Sequence, residues 1–268
     1  MGMHLSKLSC ALVISTLAAC GGGGGSTTAT TNTAANVETA NNEVLWISPR
    51  GTNAGLVRAK SSSFNGIALV PDVDSSGNYQ SYTVIEVINE IDNGDGSYSG
   101  EVVVELADGS QENVIGTFFP SAGLYTRTTG DGVIFVVSGD KAINMPIGSY
   151  NYTGHAEALY SYNENQYVET GTFDMDVQFS DGTAQIMADA NNVRYENNSL
   201  SINNDGDVFG VDGDYIIYDT DGTTQLEARK VDFDGTLHGS GATHVTGIAV
   251  GGATTDDNFS LMTIIGQR

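Results

Sequence analysis

The chain has 268 residues with 33 acidic against 10 basic side chains, a formal charge of −23, together with 34 glycines and two cysteines. That balance repels phosphate, so nucleic acid is not an expected partner, and an anionic membrane surface would also repel the body of the chain. With Cys10 and Cys20 the only cysteines, and Cys10 inside a segment that reads as a leader, no disulfide is expected, and the fold must be stabilised by its core alone.

Residues 1–19 carry Lys7, no acidic residue and the apolar run "LSCALVISTLAA". This predicts an export signal, since the run falls short of the roughly 20 apolar residues that a spanning helix needs. The ending "LAAC" resembles the lipobox of bacterial lipoproteins, which implies acylation of Cys20, palmitate included, and removal of residues 1–19. Residues 20–41, beginning "CGGGGGSTTATTNTAAN", hold Gly, Thr, Ala and Asn with almost no charge or bulk. Such a tract reads as a disordered tether with a root-mean-square reach of about 25 Å. Glycines at 21 and 22, where the lipoprotein pattern places Asp for inner-membrane retention, imply the outer membrane.

From residue 42 onward, β-branched and aromatic alternation predicts an all-β body. Asp-Gly occurs at Asp95, Asp108, Asp131, Asp181, Asp205, Asp212, Asp221 and Asp234, and reads as a series of hairpin turns. The segments "SYTVIEVINEI", "SYSGEVVVELADGS", "ENVIGTFFPSAGLYTRT" and "GVIFVVSGD" predict a meander of five to seven strands, a β-rich region over 42–143. Pro146 and Gly148 interrupt the alternation, which restarts at Tyr150 and leaves two domains or two halves of one sheet system open. In "TGTFDMDVQFSDGTAQIMAD", Phe173, Met175, Val177 and Phe179 share one face and Thr172, Asp174, Asp176 and Gln178 the other. After a turn at Asp181, Ala184, Ile186 and Ala188 continue the apolar face, predicting one buried and one wet side. Asp- and Asn-rich wet faces argue against a membrane-spanning barrel.

Over 144–268, the ordered segments "MPIGSYNYTGHAEA", "GTFDMDVQFSDGTAQI" and "DFDGTLHGSGATHVTGIAVGGATTDDNFSLMTIIGQR" resemble the barrel domain of the transferrin-binding protein B and factor H-binding protein family of surface lipoproteins. The resemblance runs through Tyr152-Thr153-Gly154, Val177-Gln178-Phe179, the stretch from Gly239 to Gly247, and Gly266-Gln267-Arg268. Thr243 and His244 stand where the family has acidic residues. The resemblance implies an antiparallel barrel of about eight strands preceded by a β-rich handle. It also implies a surface-exposed, outer-membrane lipoprotein that binds a protein or other macromolecule, or serves an outer-membrane transporter, as a monomer. Independently of the family, Gly239, Gly241 and Gly247 suit tight bends or close backbone approach, and Ala242, Val245 and Ile248 suit a barrel interior.

The chemistry-bearing residues form no familiar pattern. His155, His238 and His244 read as solvent-facing, and "HGSGATH" offers a metal no third ligand at the usual spacing. An EF-hand counted from Asn203 fails, because Val208 stands at the glycine position and Asp214 at the final one. Asp174 and Asp176 read as hydrated surface. No catalytic residue, metal site or cofactor is assigned; Cys20 is the assigned modification site, the ligand-binding residues are left unassigned, and a binding module rather than an enzyme is expected. A periplasmic-side structural or transporter-accessory lipoprotein is the alternative.

Overall fold

The computed structural model describes residues 43–47, 55–60, 64–70, 79–105, 109–129, 132–252 and 258–268. Residues 1–41, where the leader, the lipid site Cys20 and the tether are expected, lie outside them, as do Asp108 and Asp131. The first eight strands are β1 (Glu43–Ile47), β2 (Gly55–Lys60), β3 (Phe64–Val70), β4 (Tyr79–Asp92), β5 (Tyr98–Glu105), β6 (Gln111–Phe119), β7 (Ala122–Thr129) and β8 (Gly132–Asp140). They form one antiparallel sheet in the order β1-β4-β5-β6-β7-β8-β3-β2. The region holds eight strands where five to seven were expected, and the meander within it is the five from β4 to β8. The β2–β3 hairpin joins its far edge, where β3 pairs with β8 from Phe64 opposite Asp140 to Leu69 opposite Phe135. Pairing between such distant segments leaves no local signature. The sheet curls until β1 comes against β3 and β8.

The second half is a closed antiparallel barrel of eight strands: β9 (Ser149–Tyr162), β10 (Asn165–Gln178), β11 (Thr183–Ala190), β12 (Val193–Ile202), β13 (Asp207–Tyr218), β14 (Gln225–His238), β15 (His244–Gly251) and β16 (Ser260–Gln267). β16 pairs with β9 to close it, Gly266 opposite Gly154 and Ser260 opposite Tyr160. Alternation sets the inside and the outside: Phe173, Met175, Val177, Ala184, Ile186 and Ala188 are buried in one core cluster, with Phe179 packed against it. Thr172, Asp174, Asp176, Gln178, Thr183 and Gln185 lie exposed between them. A bilayer demands an outward apolar band; this wall is polar outside and apolar inside.

Turn chemistry accounts for the connections. Asn163 and Glu164 both have positive φ, the requirement of the two-residue turn that matches strand twist. Asp-Gly turns at Asp95, Asp181, Asp205 and Asp221 lie between strands as expected. Asp212 and Asp234 do not: both lie within strands, Asp212 at a bulge in β13 and Asp234 in the regular ladder of β14. There Gly235 and Gly247 make room for the Phe233 ring, which a Cβ on Gly247 would approach to 2.3 Å. Gly239 and Gly241 have positive φ and turn the chain between β14 and β15.

Sheet and barrel pack as one compact unit. Their joint contains Phe119, Ala122, Leu124, Phe135 and Val137 from the sheet and Ile248, Phe259, Leu261 and Ile265 from the barrel, with Leu159 and Val250 beside them. Ile248 thus corrects the sequence reading: Ala242 and Val245 enter the barrel core, whereas Ile248 points outward into the joint. β15 and β16 are consequently buried on both faces, and each fully buried side chain of this size contributes about 1.5–3 kcal/mol as an upper bound. The connector from 141 to 148 adds bridges from Lys141 to His238 and from Ile143 to Ser240.

Candidate functional site

Two of the three histidines expected in solvent are buried instead. His238 is fully buried and His244 is 8% exposed. Nδ1 of His238 faces the Asp140 carbonyl at 3.2 Å and Nε2 lies 2.7 Å from Thr246 Oγ1. A carbonyl only accepts, so Nδ1 carries a proton, and the Thr246 hydroxyl partners Nε2; both ring nitrogens are satisfied. His244 Nδ1 lies 2.5 Å from Ser121 Oγ and 2.9 Å from Thr243 Oγ1, and its ring packs on Phe119 with centroids 5.3 Å apart. Burial lowers its pKa to about 4. His238 and His244 are register partners across the β14–β15 turn, yet each is engaged with the sheet side. Among the described residues no three His, Cys, Asp or Glu side chains gather as a metal would require.

His155 belongs to a constellation that the sequence did not disclose. Its Nε2 lies 2.9 Å from Ser97 Oγ and 2.8 Å from Asp95 Oδ2, while Ser97 Oγ donates to Asp95 Oδ1 at 2.6 Å. Ser, His and Asp meet, but in the wrong order for nucleophilic catalysis. A triad places the serine and the carboxylate on opposite ring nitrogens, whereas both approach Nε2 here, and Ser97 is fully buried. Partial burial alone would raise the Asp95 pKa; the Ser97 hydrogen bonds and the charge of His155 outweigh it and lower the value. Asn93 Nδ2 donates to Ser97 Oγ and Gln267 Nε2 donates to the Asp95 carbonyl at 2.6 Å. The cluster clasps the β4–β5 turn to strands β9 and β16. No spacing signal could have revealed it, because Ser97 and His155 lie 58 residues apart on different sheets.

The barrel lumen is full. Tyr152, Tyr195 and Tyr215 are fully buried with Met175 and Leu200, and Tyr152 and Tyr215 donate to the carbonyls of Ala242 and Leu261. Arg229, whose side chain is 7% exposed, closes one end by donating to the carbonyls of Ser161 and Phe259, to Ser260 Oγ and to Glu227. Burial, together with the nearby Glu169, raises the Tyr160 pKa to about 12 at the same end.

Two clefts lie outside the lumen. One, of about 370 Å³, follows the seam between the Asp95 turn and the barrel wall, where Thr153, Thr172, Asp174, Asp189 and Gln267 line it. The other, of about 450 Å³, lies on β13 and β14 and is lined by Asp207, Phe209, Val211, Asp232 and Asp234 among others. The Asp-dense segment that begins at Asn203 is thus a turn followed by a bulged strand, and it holds exposed apolar side chains that the sequence reading overlooked. Cys20, the assigned lipid site, lies outside the described residues.

No family model matches the chain, and no curated protein matches it. Among solved structures, transferrin-binding protein B from serogroup B Neisseria meningitidis aligns with 84% of this chain and 43% of its own, at 11% identity and a TM-score of 0.48. A double mutant of transferrin-binding protein B from Haemophilus parasuis Hp5 aligns with 80% of this chain and 52% of its own, at 15% identity and a TM-score of 0.47. The chain spans about half the length of these structures.

Proposed function

We propose that this chain is a lipid-anchored binding module of the outer membrane, displayed at the cell surface, which meets a protein or other macromolecule on the outer wall of its barrel. The observation that carries the reading is the packing of the lumen: Tyr152, Tyr195, Tyr215, Phe233 and Met175 belong to one buried core, Arg229 lies across one end, and both clefts described above open on the outer surface. Small-molecule sites enclose most of their ligand, whereas the interior of this barrel is occupied by its own large side chains. The polar constellations are engaged in joining sheet to barrel, which supports a non-enzymatic role. In this reading Cys20 carries the lipid and residues 21–41 give the body reach from the membrane.

Protease shaving of intact cells, following a tag placed after Arg268 with a periplasmic protein as control, tests the proposal. Loss of the tag with the control intact is the expected result. Full protection would overturn surface display and move the partner to the periplasmic side. Cys20→Ser should release the protein from the membrane fraction, and retention there would sink the lipid anchor.

A further inference from the structure

We infer that the outer wall of β13 and β14 is the docking face, and that its occupant is a basic polypeptide segment carrying an apolar side chain among its cations. The inference rests on the binding-module reading above and specifies where, and with what chemistry, such a partner is met.

The β13–β14 ladder shifts register at two places, between Gly210 and Gly213 and between Ile217 and Tyr218, and the first of them bears on the surface. It lies opposite Phe233 and Val231, and Asp212 takes φ 55° there. Side chains beneath the wall hold this bulge. Asn197, 4% exposed, donates from Nδ2 to the Val211 carbonyl, and a Cβ on Gly210 or Gly213 would meet Leu200 or Tyr195 at 2.6 Å. Bulges redirect side chains and are frequent at functional sites. This one leaves Val211 66% exposed beside Phe209 at 47%, whereas the outward positions of β10 and β11 are mostly polar. An apolar pair held in water within a cleft of about 450 Å³ is the arrangement of an interface centre with a polar rim.

The rim selects the occupant. Asp207, Asp232 and Asp234 line the cleft and Asp212 and Asp214 flank it. Lys230 on the same wall is drawn to Asp214 at 2.7 Å. Asp212 N–H donates to Asp232 and Asn203 Nδ2 donates to Asp207, so the carboxylates are held in place. A negative rim around an apolar centre is complementary to cations around an apolar side chain. A second copy of this chain would bring the same acidic face against itself across a two-fold axis, which the charge of −23 opposes.

The test is binding of a fluorescent Lys-Lys-Phe-Lys-Lys peptide to the full chain in neutral detergent, read by anisotropy at several salt concentrations. Phe209→Ser and Val211→Ser should each raise Kd at least fivefold. Joint Asp232→Asn and Asp234→Asn should raise it as much and flatten its salt dependence. Joint Asp174→Asn and Asp176→Asn, the same charge change on the β10 wall, should leave Kd within twofold. Unchanged affinity in the serine variants, or an equal loss in the β10 control, overturns the inference. A dimer abolished by Val211→Ser also overturns it and assigns the face to a second copy. Cell shaving is independent of these outcomes, so an exposed chain whose peptide binding fails keeps the binding-module reading and loses this face.

Discussion

Ser121 of the sheet and His244 of the barrel, 123 residues apart in sequence, share a hydrogen bond at the joint, 2.5 Å from Oγ to Nδ1. Exclusion from water favours the neutral form of the ring, which also meets the Thr243 hydroxyl and Phe119. Burial therefore lowers the pKa from 6.5 to about 4. As pH falls, the unfolded chain takes up its proton near 6.5 and the folded chain only near 4. The contribution of His244 is thus intact above pH 6.5 and drains away toward pH 4, by about 3 kcal/mol in full. Denaturant titrations of the wild type and His244→Gln should show the difference between them shrinking across that window. Parallel loss in both chains would show that another group titrates.

Glu157 gives the opposite sign. It shares the outward face of β9 with His155 and Leu159, both of which meet the sheet, and burial raises its pKa above 4.5. Its folded form binds a proton more readily than the unfolded chain does, so the partly buried charge costs stability at neutral pH and the cost is relieved as pH falls through the raised value. Glu157→Gln should raise Tm at pH 7, with the gain vanishing in acid. A lower Tm at pH 7 would mean that the carboxylate has a stabilising partner at the joint.

Gly171 is placed by its neighbour across the ladder. A Cβ there would lie 1.9 Å from the Asp189 carbonyl oxygen, a backbone atom of the last registered pair of the β10–β11 ladder, where Asp189 stands opposite Thr172. Gly171→Ala should cost about 2–3 kcal/mol, the upper range for overpacking, measured as a shift of the denaturation midpoint without loss of the β circular dichroism signal. A loss under about 0.5 kcal/mol would show that the barrel wall yields locally.

The clasp at Ser97 has a structural consequence and no catalytic one. Its Asp95–His155 ion pair is substantially exposed, 43% and 37%, and contributes less than about 1 kcal/mol. The buried hydroxyl matters more, since it joins Asn93, Asp95 and His155. Ser97→Ala should cost about 1–2 kcal/mol and speed proteolysis at the β4–β5 turn. Unaltered proteolysis would show that Gln267 and the apolar joint hold the turn without it.

Legibility in the sequence followed solvent contact. The hairpin from Thr172 to Ala190 was readable because water touches one of its faces, so Phe173, Met175 and Val177 alternate with Asp174 and Asp176. In β15 and β16 that contrast disappears: "HVTGIAVG" and "SLMTIIGQ" are buried on both sides. Local alternation accordingly puts Ile248 inside the barrel and leaves His238 and His244 in water. What covers them is a sheet formed about a hundred residues earlier, and no local window contains it. Asp-Gly was a sound turn signal where the chain reverses and misleading at Asp212 and Asp234, where the glycines make room for the Tyr195 and Phe233 rings. Phe209 and Val211 alternate with Gly210 and Asp212 as though one residue type were inward. Only the bulge shows that the apolar pair faces out.

Burial of β15 and β16 between two cores divides the barrel into walls with different freedom to vary. An outward residue such as Ile248 or Leu261 must fit the sheet, and its inward neighbour must fit the lumen, so an exchange on this party wall has to satisfy two tenants. Outward residues of β10 to β13 answer only to water and to whatever docks there. Drift among descendants of this chain should therefore accumulate on the far wall, so that the partner can change while the frame that presents it stays the same.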